Sequence, residues 1–232
     1  MLSNMRSFAR VSLAGVLAAS AMTLLSSAQA SKADATFTVD PATITDAYMN
    51  VSDLPSAGGA YEFGQGWGFS DLAASFSGNV LTLSPNTSID RDVPTSTYWW
   101  QDASGTSAGN KIMAASAYAE DDNYAGGTVT FTGDVLSNTL VSPYTSVAFI
   151  DDFSPSYSLL NSITLPLTPG VFSINLPIGA GDNLQYGFVT TGPDARLADV
   201  SGLGNAQITA VPEPASFGLL ALGGLAALRR KR

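Results

Sequence analysis

The stretch KIMAASAYAE, residues 111–120, decides the fold. Its alanines, lysine, methionine and glutamate are good helix formers, so by composition it reads as a helix. Its neighbours argue for a strand. GTVTFTGDV (127–135) alternates polar and apolar residues with a period of two. So do ATFTV (35–39), VLTLS (80–84), SVAFI (146–150), VFSINLPI (171–178), LQYGFVTT (184–191) and NAQITAV (205–211). Between these lie the turn-forming clusters PSAGGA (55–60), SPNTSIDRDVPTS (84–96), EDDNYAGG (120–127), SPSY (154–157), LTPG (167–170) and GAGDN (179–183). In that company 111–120 is assigned as a long strand. About ten strands at short, even spacing predict an all-β body, a two-sheet sandwich or jelly roll. A short spacer is expected near GPDARLADVSGLGN (192–205).

Composition removes whole classes of chemistry. The 232 residues include no histidine and no cysteine. A Ser-His-Asp or Cys-His nucleophile, an imidazole zinc site and a disulfide framework are therefore excluded. Charge is unevenly placed. Arg6 and Arg10 stand at the front, and Arg229, Arg230, Lys231 and Arg232 at the back. Between Ser31 and Val211 four basic residues (Lys32, Arg91, Lys111 and Arg196) face eighteen acidic ones, a net charge of −14. Such a body repels phosphate backbones, so no nucleic-acid partner is expected.

Residues 1–30 read as a secretory signal peptide whose helix is removed on export. Arg6 and Arg10 form the basic start, VSLAGVLAASAMTLL (11–25) the apolar centre, and Ala28-Gln29-Ala30 the small-x-small pattern before a cleavage point at Ser31. The arginines are not paired, which favours the Sec machinery and signal peptidase as export partners. At the other end, residues 215–228 are fourteen uncharged residues. As a helix they would be about 21 Å long, short of the roughly 30 Å hydrocarbon core. Arg229, Arg230, Lys231 and Arg232 act as a stop-transfer signal and stay cytoplasmic by the positive-inside rule.

Pro212-Glu213-Pro214, the short apolar run and the basic end together resemble the PEP-CTERM sorting signal of exported bacterial proteins. The resemblance implies an exosortase as processing partner, a transient stay in the inner membrane, and delivery to the cell surface or an exopolysaccharide matrix. It divides the chain into a signal peptide (1–30), a body (31–210) and a sorting signal (211–232) with a short transmembrane-type helix. Each proline disfavours α in the residue before it, so Glu213 is held extended for a protease. GWGFSDLAASFSGNVLTLSPNTS, AFIDDFSPSY and LQYGFVTTGP are similar to the extracellular β-sandwich region that often precedes such a tail. That likeness assigns no activity.

Three sets of residues are candidates for chemistry in the body. Trp67, Phe69, Tyr98, Trp99 and Trp100, with Gln101 and Asp102, have the residue types of a glycan contact: indole faces for sugar rings and polar groups for hydroxyls. In a strand, Trp99 and Trp100 would face opposite sides, one core and one surface. Glu120, Asp121, Asp122, Asp151 and Asp152 supply hard oxygen ligands for a structural calcium ion, without EF-hand spacing. Glu62, Glu120, Asp151 and Asp152 are the carboxyls from which a glycosidase pair would have to come, though no spacing pairs them. The expectation is a non-enzymatic surface or matrix protein with no cofactor beyond that calcium. The alternatives are a carbohydrate-binding module, marked by a concave groove with an exposed Trp, and a glycan-cleaving enzyme, marked by two facing carboxylates in a cleft.

Overall fold

The computed structural model describes residues 34–211. The signal-peptide residues Ala28, Ala30 and Ser31, the sorting motif Pro212-Glu213-Pro214 and the cations 229–232 lie outside them.

The body is all-β. Ten strands form one hydrogen-bonded sheet: β1 (Ala35–Thr38), β2 (Asp46–Asp53), β3 (Tyr61–Gly66), β4 (Ala74–Ser77), β5 (Val80–Leu83), β6 (Lys111–Asn138), β7 (Thr145–Phe153), β8 (Leu159–Pro166), β9 (Gly170–Pro193) and β10 (Ala206–Thr209). Helix among the described residues is confined to two 3₁₀ turns and the single turns α1 (Ser88–Asp92) and α2 (Val200–Leu203). Residues 111–120 are strand, the first part of β6. All strand pairs are antiparallel except β1 with β6.

Two strands organise everything else. β6 has 28 residues and β9 has 24, and they pair along nearly their whole length. Neither is straight. Phe172 and Phe188 belong to the same strand, sixteen residues apart, and would lie about 50 Å apart if it ran extended. Their ring centroids are 6.0 Å apart. Phe131 of β6 likewise meets Phe188 at 5.3 Å and Tyr186 at 5.2 Å, although its ladder partner is Ile174. The sheet therefore folds over at a corner and packs on itself. One leaf runs β3-β2-β6-β9-β7-β8, using the start of β6 and the end of β9. The other runs β4-β5-β10-β6-β9, using the opposite halves, with β1 beside β10 along the same edge of β6.

The corner is made by residues that read as turns. The ladder slips between Asp121 and Tyr124 and again between Tyr124 and Ala125. Asn123 and Gly181 adopt positive φ. Gly126, at φ 83°, also needs to be glycine for space, because a Cβ there would lie 3.0 Å from the Ala180 nitrogen. The clusters at 120–127 and 179–183 are thus bulged bends within continuous strands, where separate strands joined by turns were expected. The expected spacer at 192–205 is also corrected. Asp194, Ala195 and Arg196 are buried, and β10 follows to pair with both β5 and β6.

The leaves enclose one core. Along the start of β6, Met113, Ala115, Ala117 and Ala119 point inward, into the same core as Phe131 and Phe188. Trp100, Tyr124, Phe131 and Phe188 are the largest fully buried side chains. Buried area of this kind stabilises by about 25 cal/mol per Å². With no cysteine present, it stands in place of disulfides.

Candidate functional site

The alternation that sends Met113 to Ala119 inward sends Ser116, Tyr118 and Glu120 outward. The same rule applies to Tyr48 and Asn50 on β2, Gln185 and Val189 on β9, and Asp151 and Phe153 on β7. These side chains, with Phe149 and Tyr157, line a groove of about 570 Å³ on the outer face of the first leaf. That size is in the range of small-ligand sites.

Strand register sorts the groove into two rows. In one, Tyr118, Gly187 and Phe149 stand opposite one another on β6, β9 and β7. Gly187 has no side chain to separate Tyr118 from Phe149 along this row. A Cβ there would lie 2.3 Å from Ala117 O and 2.6 Å from Tyr118 Cα, so a larger residue would push the neighbouring β6 backbone away. In the next row, Glu120, Gln185, Asp151 and Ser162 follow one another across β6, β9, β7 and β8. Gln185 Nε2 donates to Glu120 Oε2. Ser162 Oγ donates to Asp151 Oδ1 at 2.5 Å.

Tyr157 closes one end. It sits in the loop between β7 and β8 and is half exposed. Its ring packs beside Phe153, with centroids 6.2 Å apart. Its hydroxyl lies 2.6 Å from Asp122 Oδ1 and 3.0 Å from Glu120 Oε1. Its backbone has φ 60°, a left-handed conformation that costs a tyrosine of order 1–3 kcal/mol. Bonds within the loop hold it there: Tyr157 N–H to Ser154 O at 2.8 Å, and Ser158 N–H to Ser154 Oγ at 3.1 Å.

The electrostatics stem from crowding acids on a half-buried face. The bond to Asp122, then burial, then the bond to Glu120 push the Tyr157 hydroxyl's pKa up. Burial, reinforced by the Glu120 charge, pushes Tyr118 up to about 12. Asp151 is raised by burial, and its bond from Ser162 opposes the shift only in part. Aromatic faces beside fixed amide, hydroxyl and carboxylate groups can bind a ring that has an apolar face and a polar rim.

The residues singled out in the sequence are distributed differently. Trp100 is fully buried, donates its Nε1 to Val93 O at 3.0 Å, and carries the Arg196 guanidinium 3.4 Å from its ring centre. Trp99 packs edge-on against Phe63 and Tyr98 at the margin of the core. Trp67 is also partly buried against the core, and Phe69 stacks on Phe76. Gln101 reaches Gly109 O, and the Asp102 carboxylate accepts the Ser104 N–H at 2.8 Å. None of these residues lines the groove.

The acids divide between two faces. Glu120 and Asp151 line the groove, and Asp122 joins through Tyr157. Asp152 points inward, buried, near Asp182. Among the described residues no three His, Cys, Asp or Glu side chains converge on a point that would hold a metal. Glu62 belongs elsewhere, 3.1 Å from the buried Lys111 Nζ.

Sequence reasoning missed the groove because it contains no tryptophan. A signal for it does exist. Tyr48-x-Asn50, Tyr118-x-Glu120 and Phe149-x-Asp151 each put an aromatic and a polar residue on one face of a strand.

A family model for the PEP-CTERM protein-sorting motif matches residues 210–232. The chain is thus a protein with an export-sorting signal that directs it to the cell envelope. Motifs of this kind are recognised by exosortase, the partner that this segment defines. No curated protein and no solved structure matches the chain. Among the described residues no helix is long and apolar enough to cross a membrane.

Proposed function

We propose that this is a non-enzymatic protein of the cell surface or exopolysaccharide matrix, and that its body binds polysaccharide through the groove on the first leaf. The observation that carries the reading is the register of two adjacent rows: an aromatic one with Tyr118 and Phe149 on either side of Gly187, and a polar one from Glu120 to Ser162. A sugar ring needs both, a flat apolar contact and fixed hydrogen-bond partners.

Glu120 and Asp151 also face one groove, as a glycosidase would require. Binding is favoured over cleavage because neutral donors fix each carboxylate in place, as a static contact to a sugar ring requires. Glu120 accepts from Gln185 and Tyr157, and Asp151 accepts from Ser162.

The route outward is set by the two ends of the sequence. Sec and signal peptidase remove residues 1–30, and exosortase acts at Pro212-Glu213-Pro214. The acidic body then leaves the inner membrane for the matrix. Expressing the full chain with and without its exosortase tests the route. Mass spectrometry of the surface form should show loss of residues 229–232 only where the exosortase is present, and Glu213→Ala should leave uncut precursor in the inner membrane. Retention of the tail in both hosts would refute it. A glycan array with the body, residues 31–210, tests the activity: bound polysaccharide with no release of reducing ends is expected. Shortening of a bound glycan would establish the cleaving alternative.

A further inference from the structure

We propose that the groove selects glycans carrying free ammonium groups, such as deacetylated hexosamine polymers, with Glu120 and Asp151 as the charge-reading residues. The inference rests on the glycan-binding reading and names the substrate class. Its starting point is that the groove's negative charge is unmatched. The three described basic residues are all committed elsewhere. Arg91 pairs with Asp71 and Asp92 at 3.1 Å each. Lys111 pairs with Asp53 at 2.5 Å and Glu62 at 3.1 Å. Arg196 pairs with Asp90 at 2.7 Å. None of them lines the groove.

The groups that do touch the groove acids are neutral. Gln185 and Tyr157 serve Glu120, Tyr157 serves Asp122, and Ser162 serves Asp151. These contacts orient the carboxylates without cancelling their charge. A half-buried carboxylate held only by a hydroxyl is poorly solvated, and an incoming cation relieves that cost.

The shape of the site indicates which cation. Glu120 and Asp151 sit on β6 and β7, with β9 and Gln185 between them. Two strand spacings put their backbones about 10 Å apart. One calcium ion needs all its oxygens at about 2.4 Å, which suits a convergent cluster rather than a row. A chain of sugars bearing an ammonium on each ring matches a row. Tyr118 and Tyr48 in the same groove can take ring faces and, through their π-systems, the ammonium itself. A uronate or sulfated glycan would place like charge against the same carboxylates.

The test uses β-1,4-linked hexamers that differ only at carbon 2: glucosamine, N-acetylglucosamine and glucose, with oligogalacturonate as the anionic member. Titration calorimetry with the body, residues 31–210, is run at about pH 5.5 and low salt, where the amine is protonated. The glucosamine hexamer should bind at least about tenfold tighter than the two neutral ones, and the advantage should shrink in 0.5 M salt. Glu120→Gln and Asp151→Asn should each bring the ratio of glucosamine-hexamer to neutral-hexamer affinity close to one, whatever each does to binding of the neutral hexamers. Tyr118→Ala should weaken every hexamer together. Asp134→Asn, on the other leaf, should change nothing, and unchanged melting temperatures confirm that the variants fold. Equal affinity across the series, a preference for galacturonate, or an Asp134→Asn loss as large as that of Asp151→Asn would overturn the inference alone. Binding of none of the hexamers would overturn it together with the glycan-binding reading.

Discussion

Two regions of the body handle charge in opposite ways. Around Lys111 and Arg196 each cation is buried and met. Lys111 lies between Asp53 and Glu62, 4.3 Å from the Tyr98 ring centre. Arg196 lies on Trp100 and binds Asp90, Pro94 O at 2.8 Å and Ser107 O at 2.9 Å. In the groove the acids have no cation among the described residues. The sequence is strongly acidic throughout the body, so acidity alone does not distinguish the regions. What differs is whether the fold places one of its few basic residues there. Where it does, the charges hold loops to the sheet. Where it does not, the carboxylates keep their charge unpaired by any described cation.

The sharpest way to break this comparison is to remove a cation from the matched region. Arg196→Leu leaves Asp90 nearly buried and unpaired and strips the face of Trp100. Urea unfolding should show a loss of about 3–5 kcal/mol, the usual cost of breaking a buried pair. A loss below about 1 kcal/mol, the scale of an exposed pair, would mean that the pair is idle. Glycan affinity per folded molecule should not change.

The next effect concerns Asp194, beside Arg196. Burial pushes its carboxyl up to about 6, although backbone N–H groups and Arg196 pull the other way. Its Oδ2 is buried without a hydrogen-bond partner. Because the folded pKa lies above the unfolded one, its contribution to stability is fully present below about pH 4 and is lost as pH rises through about 6. The shift of roughly two units corresponds to about 3 kcal/mol. Asp194→Asn should therefore gain stability over wild type above about pH 6 and lose that gain near pH 4, as followed by melting temperature. A difference between the two proteins that does not vary with pH would contradict this assignment.

A smaller effect sharpens the other side. Tyr118→Ala should reduce glycan affinity about tenfold, equivalent to about 1.4 kcal/mol, with a stability change no larger than that. A surface aromatic with no ligand would show the stability change alone.

Much of the fold was legible because a half-buried strand advertises itself locally. Residues 127–135, 146–150 and 171–178 alternate, and all lie in strands. β2 and β8 carry no such signal. DAYMNVSD mixes polar residues into both faces, and six of the eight residues of LLNSITLP are exposed. The corner was also hidden. Asp121, Asn123 and Gly126 have the chemistry of a turn, and only pairing with a strand some sixty residues away makes them a bend in a continuous strand. Trp99 and Trp100 misled for a similar reason. Trp100 is buried by Arg196, ninety-six residues on, a partner invisible to local pattern. The sorting motif, by contrast, is a linear signal, readable from Pro212, Glu213 and Pro214 with the apolar run and cations beyond them.

The most direct test of the groove is a chemical-shift titration of the isotopically labelled body with glucosamine oligomer. The account predicts that the perturbed amides cluster at Tyr118, Glu120, Gln185, Gly187 and Asp151, on β6, β9 and β7. Perturbations centred on Trp67, Trp99 and Gln101 instead, or scattered over all acidic surfaces, would contradict it.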